Sequence, residues 1–135
     1  MPSGFDTEPG VVAIGVDILD ASRIATVCAR HGHKFVQRVL TAAEQLEYQQ
    51  RADKNNYLAK QYAAKEALAK ALGTGIAKGV GFQQLEILRD EQGAPQVNLY
   101  AAAAVRLTQL GAKRALISLS DEGQQIVAFA LLSRT

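Results

Sequence analysis

The side chains best suited to chemistry in this 135-residue chain are Asp17, Glu66 and Lys70. Asp17 stands at the end of an apolar, β-branched run, whereas Glu66 and Lys70 lie four positions apart in an alanine-rich stretch. Residues four apart share one face of a helix, so this carboxylate and this amine project side by side. A carboxylate at the end of a buried strand has to be paired, hydrogen-bonded or metal-bound, because an isolated buried charge is costly.

Asp17 and Glu66 are 66 − 17 = 49 positions apart and belong to different predicted elements. Two carboxylates, with water and phosphate oxygens at the remaining positions, satisfy octahedral magnesium. Two simpler interpretations stay open at this point. Glu66 and Lys70 could form a surface ion pair that stabilises a helix by roughly 0.2–0.5 kcal/mol. Asp17 could cap the next helix, although Asp20 is better placed for that role.

A glycine-rich segment, residues 73–81, follows the alanine-rich stretch and contains four glycines in nine residues. Its opening Gly73-Thr74-Gly75 exposes backbone N–H groups that can wrap a phosphate. It is not a Walker A or dinucleotide motif, because it follows a helix C-terminus, whose dipole repels anions. A phosphate here needs cations, which Lys70 and Lys78 could supply. The alternative is a flexible connection.

Residues 21–43 carry basic side chains and no acidic residue. This pattern indicates an electropositive surface for an acidic partner, with a solvated helix face as the alternative. Nucleic acid is not the expected partner, because no aromatic residues alternate with these basic ones. His31 and His33 lack the further ligands that zinc requires. The basic side chains are Arg23, Arg30, Lys34 and Arg38.

Composition limits the class of protein. The length suits one domain, residues 11–135, preceded by a flexible lead-in, residues 1–10, that contains two prolines and two glycines. The single cysteine, Cys28, excludes an intrachain disulfide and fits a reducing compartment, where it is interpreted as a small buried side chain. No apolar run approaches the ~20 residues of a membrane span, and the lead-in is unlike a signal peptide, so we expect a cytoplasmic protein without membrane contact.

Hydrophobic periodicity and breaker residues predict the elements that must position the chemical groups. The 11–18 run is predicted to be a strand buried on both faces, and 57–72 to be the central helix, capped by Gly73. Lys60 and Lys65 are predicted to point away from its Glu66–Lys70 edge. The order of elements predicts an α+β fold with a small, mostly antiparallel sheet packed on helices. The other predicted elements are helices 21–30, 34–40, 41–50 and 100–110, and strands 82–89, 95–99, 115–120 and 125–132.

Several of these segments together resemble the 4′-phosphopantetheinyl transferase superfamily, and in particular its bacterial members that act on acyl carrier protein. The resemblance covers roughly residues 11–133, and the paired G-V-D and K-E-x-x-x-K motifs at this separation are far more specific than either alone. The matching segments are Ile14-Gly15-Val16-Asp17, Arg23-Ile24, Arg38-Val39-Leu40-Thr41 with Glu44, 62–71, Gly73-Thr74-Gly75-Ile76 and Gly93-Ala94-Pro95.

The resemblance implies an activity and a catalytic site. The family transfers 4′-phosphopantetheine from coenzyme A to a serine of apo-acyl carrier protein, in fatty acid biosynthesis, and releases adenosine 3′,5′-bisphosphate. It implies that Asp17 and Glu66 bind Mg²⁺ and that Lys70 contacts the phosphates or assists proton transfer. Gly73, Thr74 and Gly75 would lie along the nucleotide of coenzyme A. The general base stays open among Glu66, neutral Lys70 and a metal-bound water.

The resemblance also implies partners: a homotrimer with active sites at its subunit interfaces, and a docking region for the acidic carrier at Arg23, Lys34, Phe35 and Arg38. One position departs from the family, because many relatives have a histidine near the nucleotide where this chain has Asp121. A carboxylate cannot replace imidazole as a phosphate contact, although Asp121 could serve the adjacent turn. The alternatives are a non-catalytic ferredoxin-like binding module for an acidic protein or RNA, and a structural trimer packed through residues 101–104.

Overall fold

The computed structural model describes residues 10–135, so the expected lead-in falls almost entirely outside the described residues. The described residues form five strands and five α-helices. In order they are β1 (Val11–Asp20), α1 (Ala21–His31), α2 (His33–Val39), α3 (Ala42–Gln49), α4 (Lys54–Leu72), a 3₁₀ turn (Phe82–Gln84), β2 (Leu85–Arg89), β3 (Pro95–Leu99), α5 (Ala101–Gln109), β4 (Arg114–Glu122) and β5 (Gln125–Ser133). Within this range no helix has the length and apolar character needed to cross a membrane.

The strands form two antiparallel sheets. The larger has the order β1-β5-β4, and β2 pairs with β3 in a separate hairpin. In the larger sheet Asp17 lies opposite Ala128 of β5. The prediction of an α+β fold with small antiparallel sheets on helices is thus confirmed.

Helix α4 lies at the centre of the fold and packs mainly against β1 and β5. All six of its alanines are buried, so small side chains let the sheet approach the helix backbone closely. The approach is tightest at Gly15, where an added Cβ would collide with the carbonyl oxygen of Ala67 and lie 2.7 Å from the amide nitrogen of Ala71. Gly73 ends the helix with φ = 76°, in the left-handed conformation that glycine adopts most easily.

Three boundaries differ from the predicted ones. The polar break expected at 53–56 is the first turn of α4, because the Asp53 carboxylate accepts a hydrogen bond from the Asn56 amide and caps the helix N-terminus. The strand expected from Phe82 begins only at Leu85, after the 3₁₀ turn. Strand β1 continues to Asp20, so Asp17 lies within the strand and not at its end.

The expectation that β1 is buried on both faces is wrong for the single chain. Alternate residues point away from α4 and are exposed, including Ile14 at 58% and Ile18 at 67%. Neighbouring strands continue this apolar surface, which we call the outer sheet face. Its members are Ile14, Val16, Ile18, Leu116, Val127 and Phe129. Asp17 belongs to the opposite, helix-facing side of β1 because side chains alternate along a strand.

Candidate active site

Asp17 and Lys70 meet where β1 crosses the C-terminal half of α4. The Lys70 ammonium donates to Asp17 Oδ1 at 3.1 Å and to the carbonyl oxygen of Val16 at 3.0 Å. The Asp17 side chain is only 16% exposed, whereas that of Lys70 is 52% exposed. One N–H of the ammonium thus has no partner within the described residues and can reach a ligand at the surface.

Glu66 lies one helical turn before Lys70 and shares its surroundings. Burial raises the pKa of the Glu66 carboxyl, and the Asp17 carboxylate raises that pKa further. The Lys70 ammonium and the Tyr62 hydroxyl act in the opposite direction. These mutual effects place Asp17, Glu66 and Lys70 in one cluster, which sequence spacing alone could only suggest.

Tyr62 is a member of the cluster that sequence reasoning did not single out. Burial raises the pKa of its phenol, and the Glu66 and Asp17 carboxylates raise it further, whereas Arg23 lowers it. The signal was present in the sequence, because residues 62, 66 and 70 are spaced by four and fall on one helix face.

The cluster offers a metal ion two carboxylates and no more. Among residues 10–135 no group of three or more histidine, cysteine, aspartate or glutamate side chains is arranged to hold a metal. Hard oxygen donors with several open positions suit Mg²⁺, which keeps waters and takes substrate phosphates as ligands. Burial is the main cause of the raised pKa of Glu66, and the nearby Asp17 carboxylate adds a repulsion that a divalent cation would relieve. Asp17 and Glu66 therefore fit a magnesium ion.

The basic residues of the predicted docking region lie around two neighbouring grooves. One has a volume of about 330 Å³ and is lined by Arg23, Phe35 and Tyr62, among others. The second, of about 290 Å³, is lined by Lys34, Phe35 and Arg38 together with Val27 and His31. Tyr62 connects the first groove to the carboxylate cluster, and Phe35 contributes to both grooves.

Gly73 and Thr74 border a different groove, of about 470 Å³, with Lys78 and Arg106 on its walls. The expectation that residues 73–75 expose their backbone N–H groups is wrong, because these groups donate to the carbonyl oxygens of Ala69 and Lys70 at the end of α4. The Arg106 Nε donates to the carbonyl oxygen of Leu72 at 2.8 Å. A guanidinium at this helix C-terminus offsets the negative end of the dipole that would otherwise repel a phosphate. Sequence reasoning assigned no role to Arg106, because nothing in its local sequence shows that α5 packs against the end of α4.

Asp121 contacts α4 instead of shaping the β4–β5 turn. Its carboxylate accepts a hydrogen bond from Asn56 Nδ2 at 3.1 Å and forms an ion pair with Lys60 at 3.2 Å. These hydrogen bonds hold the pKa of the Asp121 carboxyl below its usual range. Lys60 does point away from the Glu66–Lys70 edge, as predicted.

Lys65 also points away from that edge, but into the core. It is completely buried and paired with Glu44 at 2.6 Å. Burial lowers the pKa of its ammonium, whereas Glu44 raises it. Sequence reasoning found the capping box that contains Glu44, but a lysine in a run of helix-forming residues gives no sign of burial.

A comparison with known families identifies the class to which this fold and site belong. The family described as the 4′-phosphopantetheinyl transferase superfamily matches residues 13–130. That range includes both carboxylates, the basic residues of α1 and α2, and the glycine segment.

Individual relatives narrow the class. The chain is 46% identical over 122 residues to the holo-[acyl-carrier-protein] synthase of Shewanella frigidimarina, covering 90% of this chain and 97% of the relative. The crystal structure of the synthase from Neisseria meningitidis superimposes with a TM-score of 0.84 at 39% identity, covering 90% and 98% of the two chains. The Helicobacter pylori synthase, solved in complex with coenzyme A, gives a TM-score of 0.78 at 28% identity, covering 89% and 99%. The chain belongs to the holo-[acyl-carrier-protein] synthase family within this superfamily, which confirms the resemblance read from the sequence.

Proposed function

We propose that the protein transfers 4′-phosphopantetheine from coenzyme A to a serine of apo-acyl carrier protein in a magnesium-dependent reaction. The observation that carries this proposal is the convergence of Asp17, Glu66 and Lys70 where β1 crosses α4. Relatives solved with coenzyme A, such as that from Helicobacter pylori, support coenzyme A as the co-substrate. A single cysteine fits the reducing cytoplasm as the site of the reaction.

The chemistry depends on positioning and charge neutralisation. The serine hydroxyl oxygen attacks the phosphorus that carries the pantetheine, the bond from that phosphorus to the bisphosphate oxygen breaks, and the hydroxyl proton passes to Glu66 or to water beside it. Asp17 and Glu66 would hold the magnesium ion, which when bound neutralises the negative charge of the pyrophosphate. The free N–H of Lys70 donates to the departing adenosine 3′,5′-bisphosphate.

Gly73, Thr74 and Gly75 would lie along the nucleotide of coenzyme A. Support comes from the groove that Gly73 and Thr74 border and from its two cationic walls, Lys78 and Arg106. Two cations on the walls of one groove favour a phosphate ligand.

The test is transfer of labelled pantetheine from coenzyme A to apo-acyl carrier protein with and without Mg²⁺. Wild type should transfer the label only with the metal, and Asp17→Ala and Glu66→Ala should not. Absence of transfer by the wild type would favour the binding module for an acidic protein or RNA. Full activity in either variant would remove the metal assignment.

The acidic carrier would dock at Arg23, Lys34, Phe35 and Arg38. Three cations around two adjoining grooves, with an aromatic ring shared between them, offer charge complementarity and an apolar anchor. Arg23→Glu with Arg38→Glu should raise the carrier KM and leave the coenzyme A KM unchanged. Arg30→Glu is the matched control, because Arg30 lies on α1 together with Arg23 but lines neither groove. An unchanged carrier KM in the double variant would contradict this docking surface.

We also propose a homotrimer with active sites at its interfaces, and the outer sheet face supports self-association of the chain. A contiguous exposed apolar surface on a folded chain marks an interaction site, and this one spans all three strands of the sheet. Ile18→Lys should convert trimer to monomer in light scattering and reduce activity. Leu46→Lys, an equally exposed apolar position on α3, should leave the trimer intact. A wild-type monomer would contradict the proposal.

A further inference from the structure

Lys65 and Glu44 form a charged network inside the core. Both side chains are fully buried, and the Lys65 ammonium uses all three of its N–H groups. It donates to Glu44 Oε1 at 2.6 Å, to the carbonyl oxygen of Val39 at 2.6 Å and to that of Phe82 at 3.0 Å. Lys65 thus connects α4 to the end of α2, the start of α3 and the 3₁₀ turn.

Both oxygens of the Glu44 carboxylate also accept hydrogen bonds. Its Oε1 also accepts from the Thr41 amide at 2.8 Å, and its Oε2 accepts from Gln61 Nε2 at 2.7 Å and from the Ile87 amide at 2.8 Å. Gln61 and Lys65 lie one turn apart on α4, so both hold the same face of the helix against Glu44. The result is a polar anchor, defined as Glu44, Gln61 and Lys65, at which five elements meet: α2, α3, α4, the 3₁₀ turn and β2.

Such a network is a poor way to gain stability, because a well-packed apolar replacement is often equally stable. A network of several strong hydrogen bonds does, however, select one arrangement, since displacement breaks these bonds together. Only the Gln61 Oε1 of the anchor is buried without a partner among the described residues. Selection matters on α4, where six of the ten other buried residues are alanines, whose small side chains fix the rotation of the helix weakly. On the sheet side, the close approach at Gly15 sets the distance between α4 and β1.

Glu66 immediately follows Lys65 in the sequence. A helix of about 6 Å radius that rotates by about 10° moves a surface side-chain atom by roughly 1 Å. Functional groups have to be held within about 0.5 Å of their productive position. A small rotation of α4 would therefore be enough to prevent Glu66 and Asp17 from ligating one ion.

We propose that the polar anchor is a positioning device that sets the rotation of α4 and so holds Glu66 at metal-binding distance from Asp17. Glu44 and Lys65 touch neither substrate nor metal in this role. The inference rests on the proposed metal site at Asp17 and Glu66, and adds to it the residues that give the site its geometry.

The test compares metal binding with stability. Lys65→Met combined with Glu44→Gln removes both charges and keeps side chains of similar size. Gln61→Met keeps the ion pair and removes the two hydrogen bonds that Gln61 donates, to Glu44 and to the carbonyl oxygen of Ile87. Leu132→Ala is the matched control: Leu132 is buried on β5 near Ala13, away from Asp17 along β1. Mn²⁺ affinity is measured by calorimetry on each full chain with coenzyme A present, beside the melting temperature and the carrier KM.

We expect the double variant to lose about 10- to 100-fold in Mn²⁺ affinity, the range seen when groups that orient metal ligands are removed. Gln61→Met should lose less, and the carrier KM should not change. Leu132→Ala should lower the melting temperature and keep wild-type Mn²⁺ affinity. Folded anchor variants with wild-type affinity would overturn the positioning role alone. Failure of both anchor variants to fold would also overturn it, by assigning the network to folding. A wild type that binds no Mn²⁺ would instead remove the metal site itself.

Discussion

Two lysine–carboxylate pairs on α4 contain the same chemical groups but differ in distance, burial and hydrogen bonding. Lys65–Glu44 has an N–O distance of 2.6 Å and is closed to solvent, with every donor and acceptor of the two charged groups in use. Lys70–Asp17 is longer, at 3.1 Å, and half of the Lys70 side chain is exposed. The closed pair has no capacity left for a ligand, whereas the open pair keeps donor and acceptor positions that no described residue occupies.

The difference shows how one helix can serve structure and chemistry at once. Gln61 and Lys65 lie on a face that contacts α2, α3 and β2 through hydrogen bonds. The adjacent face of the helix carries Tyr62, Glu66 and Lys70, and it points towards Asp17 and the grooves. Removing a charge from the first face should therefore cost folding free energy, and removing one from the second should cost activity.

The largest effect is expected on the open face. Glu66→Gln should lower the transfer rate by about 10²- to 10⁴-fold, the range for loss of an acid–base or charge-stabilising group. Stability without metal should not fall. The folded state raises the pKa of Glu66, so the stability associated with this group is fully present at low pH and is lost as pH rises through the raised pKa. A neutral glutamine avoids that loss at neutral pH. Steady-state kinetics and urea unfolding test both statements, and a clearly less stable variant would contradict the second.

The closed pair should give the largest stability effect. Lys65→Met leaves the Glu44 carboxylate buried without its cation, and should lower the free energy of unfolding by about 3–5 kcal/mol. Lys70→Met is the matched variant, because its pair is partly solvated and is expected to contribute less than about 1 kcal/mol. Urea unfolding of the two proteins measures the contrast directly. Equal losses of unfolding free energy in the two variants would mean that burial does not determine how much each pair contributes to stability.

Gly15 lies where β1 meets the helix that carries both pairs. Gly15→Ala places a Cβ against the backbone at Ala67 and Ala71, and neither backbone atom can move without α4. We expect a loss of about 1–3 kcal/mol from overpacking, together with a lower transfer rate, because the helix moves away from Asp17. Gly81→Ala is the control, since an added Cβ there meets nothing within 4 Å. A Gly15→Ala protein with wild-type stability and rate would show that this contact is not tight in solution.

The contrast between the pairs also explains what the sequence could predict. Asp17, Glu66 and Lys70 were found because helical spacing and a carboxylate in an apolar strand are local signals, and the family motifs strengthened them. The partner of Lys65 lies 21 positions away, and the carbonyl oxygens that complete its shell belong to residues whose side chains give no hint of the contact. The exposed outer sheet face was missed for a related reason: a β-branched run is the same whether a helix or another subunit covers it.

A third lysine–carboxylate pair on α4 gives the smallest expected effect and completes the comparison. Lys60 and Asp121 are each about one-third exposed, so the pair should contribute only about 0.2–1 kcal/mol, and less at high salt. Hydrogen bonds from Asn56 and Lys60 lower the folded-state pKa of Asp121, so its contribution is present above the unfolded pKa and is lost as pH falls through the folded one. Asp121→Asn should therefore destabilise the protein slightly at neutral pH and not at all once Asp121 is protonated. Urea unfolding at both pH values measures this, with Glu122→Gln, the adjacent exposed carboxylate, as control. A loss that persists at low pH would mean that Asp121 acts through packing and not through its charge.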